Sequence, residues 1–475
     1  VKIPLRELEA LVGPEALLAG DAPEARRYLV DGTEIRAIAG QAGAVTLPAD
    51  AEQVRALVAF CYGHDLPLVP RGGGTGLAGG AVPLDGAIVV SLERLSAPAQ
   101  IEPEHWRAHV QAGAITADVA RRARENGLYY APDPGSAESS LIGGNIATNA
   151  GGPHTFKYGV TGSWVTGLEV VLAPGELVRI GGTVRKDVGG YDLRSLLIGS
   201  EGTLGIVTGA WLKLLPTPES RLPVVGFYES AQAGGDALEA AMVSGIVPAA
   251  LEFLDAGALA ASLGTLLASV PELPGDAAER TKFMLIAEAD GDAEAAARGQ
   301  AELVDALGAV DGMVTVHAPQ LATDVERLWR WRDGVSGAVN AQRGGKVSED
   351  IVVPAERLAE AVAATLEIGE RHGLPACTWG HAGDGNVHAT FMIDRSVPAE
   401  VERAEAAAGE LFELAVGLGG AVSGEHGLGL VKNGALALQW PAPALDLHEQ
   451  IKHLFDPKGL LNPGKKLARL PDVSR

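Results

Sequence analysis

"VPRGGGTGLAGGAV", Val69 to Val82, is the stretch on which the fold turns. Within it Gly74, Gly76 and Gly79 spell G-x-G-x-x-G, the spacing of a nicotinamide-binding Rossmann turn. That fingerprint needs a strand before the glycines and a helix after them, because the helix N-terminus holds the pyrophosphate. "LPLVP" supplies the strand. After Gly80 comes "AVPLDGAIVVSL", in which Pro83 and an Asp85-Gly86 turn lead into β-branched residues. The order is strand, turn, strand, which argues against a nicotinamide site. A P-loop is excluded as well, since no G-K-[ST] follows. A Gly-rich loop can still bind an anion without a helix, because successive backbone N–H groups form a concave nest.

Two further stretches have the same character: "PDPGSAESSLIGGNIATNAGG" (Pro132 to Gly152) and "IGSEGTLGIVT" (Ile198 to Thr208). One such loop would be read as a tight hairpin. Three of them between strands predict a large phosphate-bearing ligand wrapped by several turns.

The bulk numbers narrow the class. At 475 residues the chain has room for two or three domains. Its 62 glycines fall in clusters without a period, which excludes collagen. A formal charge of -22 repels phosphate backbones, so no nucleic-acid partner is expected. Two cysteines, Cys61 and Cys377, build neither a disulfide framework nor a cysteine-ligated Fe–S cluster. Cys61 falls on an apolar helix face with Val54, Leu57 and Val58 and reads as core. The opening "VKIPLRELEALVG" lacks the apolar core of a signal peptide. No uncharged apolar run reaches the roughly 18 residues of a membrane span. The expectation is a cytoplasmic protein with no transmembrane segment.

From "AVTLPADAEQVRALVAFCYGHDLPLVP" a strand–helix–strand unit is predicted, with Asp50 and Gln53 as a capping pair. Short β runs and Gly-rich turns then continue to Pro216, interrupted by one helix from Ile115 to Asn126. "LPTPESR" (Leu215 to Arg221) is a Pro-bearing boundary. Beyond it "LPVVGFYES", "KFMLIAEAD" and "GMVTVHA" are strands between Ala-rich helical stretches, an α+β layer. Helices are expected at Ala399 to Val416 and Ala444 to Phe455.

"TWGHAGDGNVHATFM" (Thr378 to Met392) carries the chemistry. With Asp384-Gly385 as a two-residue hairpin turn, His381 pairs directly with His388, their Cβ atoms about 5 Å apart. Two imidazoles that close suit a divalent metal or, alternatively, stack as core residues. Zn, Mn and Fe all accept such ligands. "SGEHGLG" (Ser423 to Gly429) offers the carboxylate of Glu425 to complete a site. Thr390 shares the face of His388 by strand alternation.

"PRGGGTGLAGG", "PDPGS", "GGNIATNAGG", "KYG", "VGGYDL" and "GSEGTLGIVT" together resemble the FAD domain of the vanillyl-alcohol-oxidase superfamily. With "GHAGDGNVH", "SGEHGLG" and "FDPKGLLNPGK" the resemblance narrows to the FAD-linked 2-hydroxyacid dehydrogenases. These include the glycolate oxidase flavoprotein subunit, D-lactate dehydrogenases and D-2-hydroxyglutarate dehydrogenases. The resemblance spans nearly the whole chain and implies an α+β fold. A bipartite FAD-binding domain of two α+β subdomains would occupy residues 1–216. A cap domain, an antiparallel sheet covered by helices, would be inserted at 217–416, and 417–475 would return to the FAD domain.

Carried over by motif, Pro70, Arg71, Gly72, Gly73, Gly74, Thr75, Gly76 and Leu77 would cradle the pyrophosphate. Pro134, Gly135, Ser136, Gly144, Asn149 and Gly151 would line it further. Glu201, Gly202, Gly205, Ile206 and Val207 would hold the adenosine or ribityl side, and Asn462 would close the isoalloxazine end. The first loop has no His for a covalent link, so non-covalent FAD is expected. The family also implies His426 as general base and His381, His388 and Glu425 as ligands of a divalent metal (Zn, Mn or Fe). Oxidising a 2-hydroxy acid removes a hydroxyl proton, which needs a base, and a C2 hydride. The substrate carboxylate needs a cation, best a bidentate Arg. In "RLWRWRDGVSGA" the family's W-x-x-R motif falls on Trp329 to Arg332, making Arg332 the clamp. Ser336, one turn on, faces the same pocket, as does Thr390. Arg327 and Arg330 read as a solvated helix face.

One departure bears on the substrate. The hydroxyglutarate enzymes carry a Lys six residues before a Pro in the cap sheet. In "GKVSEDIVVP" that position is Ser348, and Lys346 is two residues off. A dicarboxylate lacks its expected partner unless Lys346 or Arg343 substitutes, which favours glycolate or D-lactate. Electrons would leave to an Fe–S or flavoprotein partner subunit, or to a quinone. Such a partner could hold the chain at a membrane, and a homodimer is a further assembly to consider. The competing class is a non-catalytic electron-transfer flavoprotein subunit of a glycolate oxidase-like complex. Retention of His381, His388, Glu425 and His426 counts against it.

Overall fold

The computed structural model describes residues 3–269 and 279–469; residues 270–278, inside the expected cap domain, and the extreme ends lie outside the described residues. The chain forms two compact units, Val1–Gly151 with Gly159–Thr217 and Glu425–Arg475, and Gly152–Tyr158 with Pro218–Gly424. Both are α+β.

The first unit contains two larger sheets. One is four-stranded. In it Ala42–Thr46 and Leu68–Arg71 run parallel to Ala87–Ser91, and Leu17–Ala19 pairs antiparallel at the edge. The helix Ala51–Gly63 covers it with Val54, Leu57, Val58 and Cys61, all buried. That helix starts where the sequence places it. The Asp50 carboxylate accepts the Gln53 N–H at 2.8 Å, and the Gln53 side chain accepts the Ala49 N–H at 2.7 Å, a capping box displaced by one residue. Burial pushes the Cys61 thiol up to about 12, as expected of an inert core thiol. Between Arg71 and Ala87 the chain forms no helix. The Gly-rich stretch is a crossover loop between two parallel strands. The second sheet is five-stranded and antiparallel, with Ile206–Lys213 at its centre.

The second unit is one antiparallel sheet of seven strands. Its spatial order is Met313–His317, Ser220–Tyr228, Phe283–Gly291, Ala250–Asp255, Ala376–His381, Asn386–Ile393 and Gly345–Val352. Strand alternation gives it two faces. Helices Ala231–Val243, Ala293–Gly308, Leu358–Arg371 and Pro398–Gly417 cover one. Ala256–Ser269 and Ala322–Arg343 cover the other, where Leu328, Trp331 and Val335 pack on Leu254, Trp379 and Met392. Each such side chain contributes about 1.5–3 kcal/mol of burial.

Two segments join this unit for reasons no periodicity announces. After the helix Pro398–Gly417 the chain stays on the sheet, because Ala421 and Val352 exchange both backbone hydrogen bonds at 2.9 and 3.0 Å. The second unit therefore runs on to Gly424. The short piece Gly152–Tyr158 is tied down by polar contacts. His154 Nε2 lies 3.0 Å from Glu288, and Lys157 and Tyr158 both bond Asp290.

Candidate active site

In the first unit, the loops expected to hold a dinucleotide pack backbone against backbone. A Cβ on Gly73 would lie 2.4 Å from the Ser139 carbonyl oxygen, and one on Gly72 would lie 3.1 Å from the Gly144 Cα. The first loop and the Ser139–Gly144 stretch can approach this closely only without side chains. By contrast, Gly76 and Gly135 face open space. We expect Gly73→Ala to purify with flavin affinity about tenfold or more weaker. Overpacking by one methyl costs about 1–3 kcal/mol, and 1.4 kcal/mol is a factor of ten. Flavin absorbance per protein after dialysis checks this.

Side chains in these loops mostly bind protein. The Arg71 guanidinium donates to the carbonyls of Val30 and Arg27 at 2.6 and 2.7 Å, so Arg71 braces the loop from behind. Ile206 and Val207 are buried in the central strand, paired with Val171 and Val170. Asn149 adopts φ +54 and its side-chain oxygen accepts the Gly162 N–H at 2.8 Å. The Glu201 carboxylate accepts the N–H groups of Leu428 and Gly429 at 2.9 and 2.7 Å and pairs with Lys466 at 3.2 Å. It thereby holds the segment that carries His426. Asn462 donates its amide to the carbonyls of Gly80 and Glu201 at 2.9 and 2.7 Å and ties the first and third loops together.

Asn462 Oδ1 and Lys465 Nζ are among the buried polar atoms of this unit that have no hydrogen-bond partner among the described residues. Burial lowers the Lys465 ammonium to about 8, against the pull of Asp31, Asp85 and Glu201. A buried cation without a paired anion is costly. A pyrophosphate is a fitting counter-charge, so these residues suit FAD. Lys465 follows "NPG" directly and went unremarked in the sequence, where one Lys in a "KK" pair reads as surface.

In the second unit, the sheet face beneath Ala322–Arg343 gathers the remaining candidates. The hairpin differs from expectation. His381 pairs with Asn386, and His388 with Trp379. Ala382–Asp384 forms a 3₁₀ turn and only Gly385 is left-handed, at φ +65. A two-residue type I′ turn needs positive φ at both positions, and Asp384 does not adopt it. The loop is thus four residues, and the register slips by two. Because the side-chain period is also two, both imidazoles still share one face. Their ring centroids are 5.4 Å apart, edge to face at 83°. Glu425 follows Gly424 by one peptide bond. Gly424 is fixed by its N–H to Asp350 at 2.7 Å, and Ser423 donates to the same carboxylate.

His381 Nδ1 lies 2.5 Å from the fully buried carboxylate of Glu252, and Arg332 forms an ion pair with the other oxygen of that group. Burial pushes the Glu252 carboxyl up, but the charges of His381 and Arg332 outweigh it and hold it below the ordinary range. Arg332 keeps a donor to spare, since its buried Nε has no partner among the described residues. Ser336, one turn on, accepts from Lys346 Nζ at 2.5 Å. Lys346 also lies over the Trp379 ring at 4.9 Å, and burial lowers it to about 8. Arg343 pairs with Glu400 instead, at 2.9 Å. The Thr390 hydroxyl meets Ser348 at 2.8 Å. Arg327 and Arg330, both exposed, pair with Asp324 and Glu326 on their own helix. Sequence reasoning missed Glu252 and Asp350. Glu252 had one signal, an acid flanked by Leu251 and Phe253 inside the strand "ALEFLD".

The family model "FAD binding domain" matches residues 42–181, and "FAD linked oxidases, C-terminal domain" matches 217–466. The glycolate oxidase subunit GlcD of Bacillus subtilis (strain 168) is 38% identical over 426 residues, covering 90% of this chain and 89% of that protein. A D-2-hydroxyglutarate dehydrogenase of Xanthomonas citri pv. viticola is 37% identical, covering 89% and 88%. A D-lactate dehydrogenase of Archaeoglobus fulgidus is 35% identical, covering 90% and 91%. Among solved structures, the 4-ethylphenol oxidase of Gulosibacter chungangensis superposes with a TM-score of 0.78 at 20% identity, over 99% of this chain and 97% of that one. A p-cresol methylhydroxylase superposes with a TM-score of 0.76 at 19% identity, over 98% and 96%. The fold is thus that of the vanillyl-alcohol-oxidase type, and the chain belongs to the FAD-linked oxidases, as an FAD-dependent oxidoreductase.

Proposed function

We propose that the chain oxidises a 2-hydroxy acid to the corresponding 2-oxo acid. One observation carries this reading: a buried Arg with an unpaired N–H, Arg332, lies next to a paired-imidazole donor set on one sheet face. Arg332 holds the substrate carboxylate, with Ser336 and Thr390 beside it. His426 takes the hydroxyl proton. Non-covalent FAD, when bound in the loops of the first unit, would supply the acceptor for the C2 hydride. Glu425, as the family resemblance implies, would add its carboxylate to His381 and His388 to complete a donor set for an ion. A divalent ion there (Zn, Mn or Fe) would acidify the substrate hydroxyl. With only two cysteines in the chain, the electrons pass to an Fe–S or flavoprotein partner subunit or to a quinone. No described helix is long and apolar enough to cross a membrane, and a membrane-side location would come through such a partner.

Glycolate or D-lactate is the favoured substrate. A second reading, D-2-hydroxyglutarate, draws support from Lys346, whose ammonium meets Ser336 and an aromatic face but, among the described residues, no carboxylate. Anaerobic titration with glycolate, both lactates and both 2-hydroxyglutarates separates the readings. One of these acids is expected to bleach the flavin; bleaching by none of them sinks the proposal. The second reading adds a pH signature. Burial holds Lys346 near 8, so it is charged below that pH and neutral above. The KM for a dicarboxylate should then climb as pH rises through about 8, and Lys346→Met should abolish the climb. Glycolate and lactate should show neither effect.

A further inference from the structure

We infer that Glu252 is a positioning residue that fixes both the metal-ligand face of His381 and the direction of Arg332 through one carboxylate. The inference rests on the roles proposed above for those two residues.

Glu252 occupies the centre of Ala250–Asp255, a strand buried along its whole length. Its neighbours in the strand, Leu251 and Phe253, are apolar. A carboxylate is costly here unless it is paired, so its presence calls for partners. The sheet supplies the first. Glu252 and His381 are direct cross-strand neighbours, with 2.5 Å between Oε1 and Nδ1. The helix Ala322–Arg343, crossing that face, supplies the second, because Arg332 pairs with Oε2. A carboxylate paired with an Arg is acceptor-only. Nδ1 of His381 must therefore carry the proton, and Nε2 keeps its lone pair for a metal. The carboxylate–His–metal relay sets tautomer and ring direction in just this way.

The same group sets Arg332. The ion pair with Oε2 holds the guanidinium against Glu252 and so restrains the direction of its remaining donors. His381 lies on a strand and Arg332 on a helix 49 positions earlier in the chain. Glu252 contacts both, His381 through Oε1 and Arg332 through Oε2. Its role would be to keep the donor set and the carboxylate clamp in register with each other.

Two variants test this. Glu252→Gln keeps the shape and one acceptor oxygen but loses the charge. Glu252→Asp keeps the charge but shortens the reach by one methylene. Flavin content controls for folding. Zn²⁺ affinity is read by competition with a coloured chelator, and KM and kcat with the best acid of the panel. Both variants are expected to keep flavin. Zn²⁺ affinity should fall about 10- to 100-fold in Glu252→Gln, and KM should rise, with Glu252→Asp intermediate on both. In a His381→Ala background the Glu252→Gln change should no longer alter Zn²⁺ affinity. Wild-type Zn²⁺ affinity and KM in both variants would overturn the inference. So would a Zn²⁺ defect that persists without His381, or loss of flavin from both variants, which marks a residue of the fold alone. If the wild type binds no Zn²⁺, Mn²⁺ or Fe²⁺, the metal reading itself fails, and that result is obtained before any variant is made.

Discussion

Replacing His426 by Ala is expected to slow anaerobic reduction of the flavin by its 2-hydroxy acid about 10²–10⁴-fold. That is the range a positioned general base contributes. The side chain is 15% exposed, with Nε2 3.7 Å from the Glu425 carboxylate. It is sheltered without being fully buried. It lies in the same unit as the three Gly-rich loops. The loop around it is held by the backbone N–H groups of Leu428 and Gly429 on Glu201. His426→Ala leaves those bonds in place, so flavin content should match the wild type. Stopped-flow reduction rates under nitrogen measure the effect, and added imidazole should restore part of the rate. A variant reduced within a few-fold of the wild-type rate would remove His426 from the chemistry. Glu201→Ala is the informative contrast, because it frees the loop without touching the ring and should lower flavin retention as well as rate.

Features that depend on local backbone rules were legible in the sequence. The Gly-rich stretch could be taken from the nicotinamide class because Pro83 and Asp85-Gly86 rule out a helix, and the chain forms none between Arg71 and Ala87. The helix face of Val54, Leu57, Val58 and Cys61 is buried as its period requires. The His hairpin was legible only by face. A D-G pair favours a two-residue turn, but the chain spends four residues on it, and the two-residue slip moved His381 from His388 to Asn386. The face survived because the slip equals one full strand period. What depends on distant partners was not legible. Glu252 meets His381 across 129 positions. Asp350 meets Gly424 across 74. Lys346 was named in the sequence, but its contact with Ser336, ten positions back on the helix, was not readable there.

On the proposed metal reading, chelation should have the second large effect, and it separates the donor set from the base. Dialysis against a strong chelator is expected to leave the flavin bound and to lower kcat about 100-fold or more. A Lewis acid at the hydroxyl oxygen is worth several kcal/mol, and 1.4 kcal/mol is tenfold. Returning Zn²⁺ or Mn²⁺ should restore activity, and whichever ion restores most identifies the working metal. His388→Ala should reproduce the chelated state and resist restoration. His381 is braced by Glu252 and would persist, and Gly424, next to Glu425, is braced by Asp350. One imidazole and one carboxylate do not make a tight site for these ions. His426→Ala, by contrast, should keep its metal at wild-type stoichiometry while losing rate. Metal analysis of the two variants side by side therefore assigns each His its part. If the chelated enzyme keeps full activity and contains no ion, the two imidazoles are core residues stacked edge to face, and proton removal falls to His426 alone.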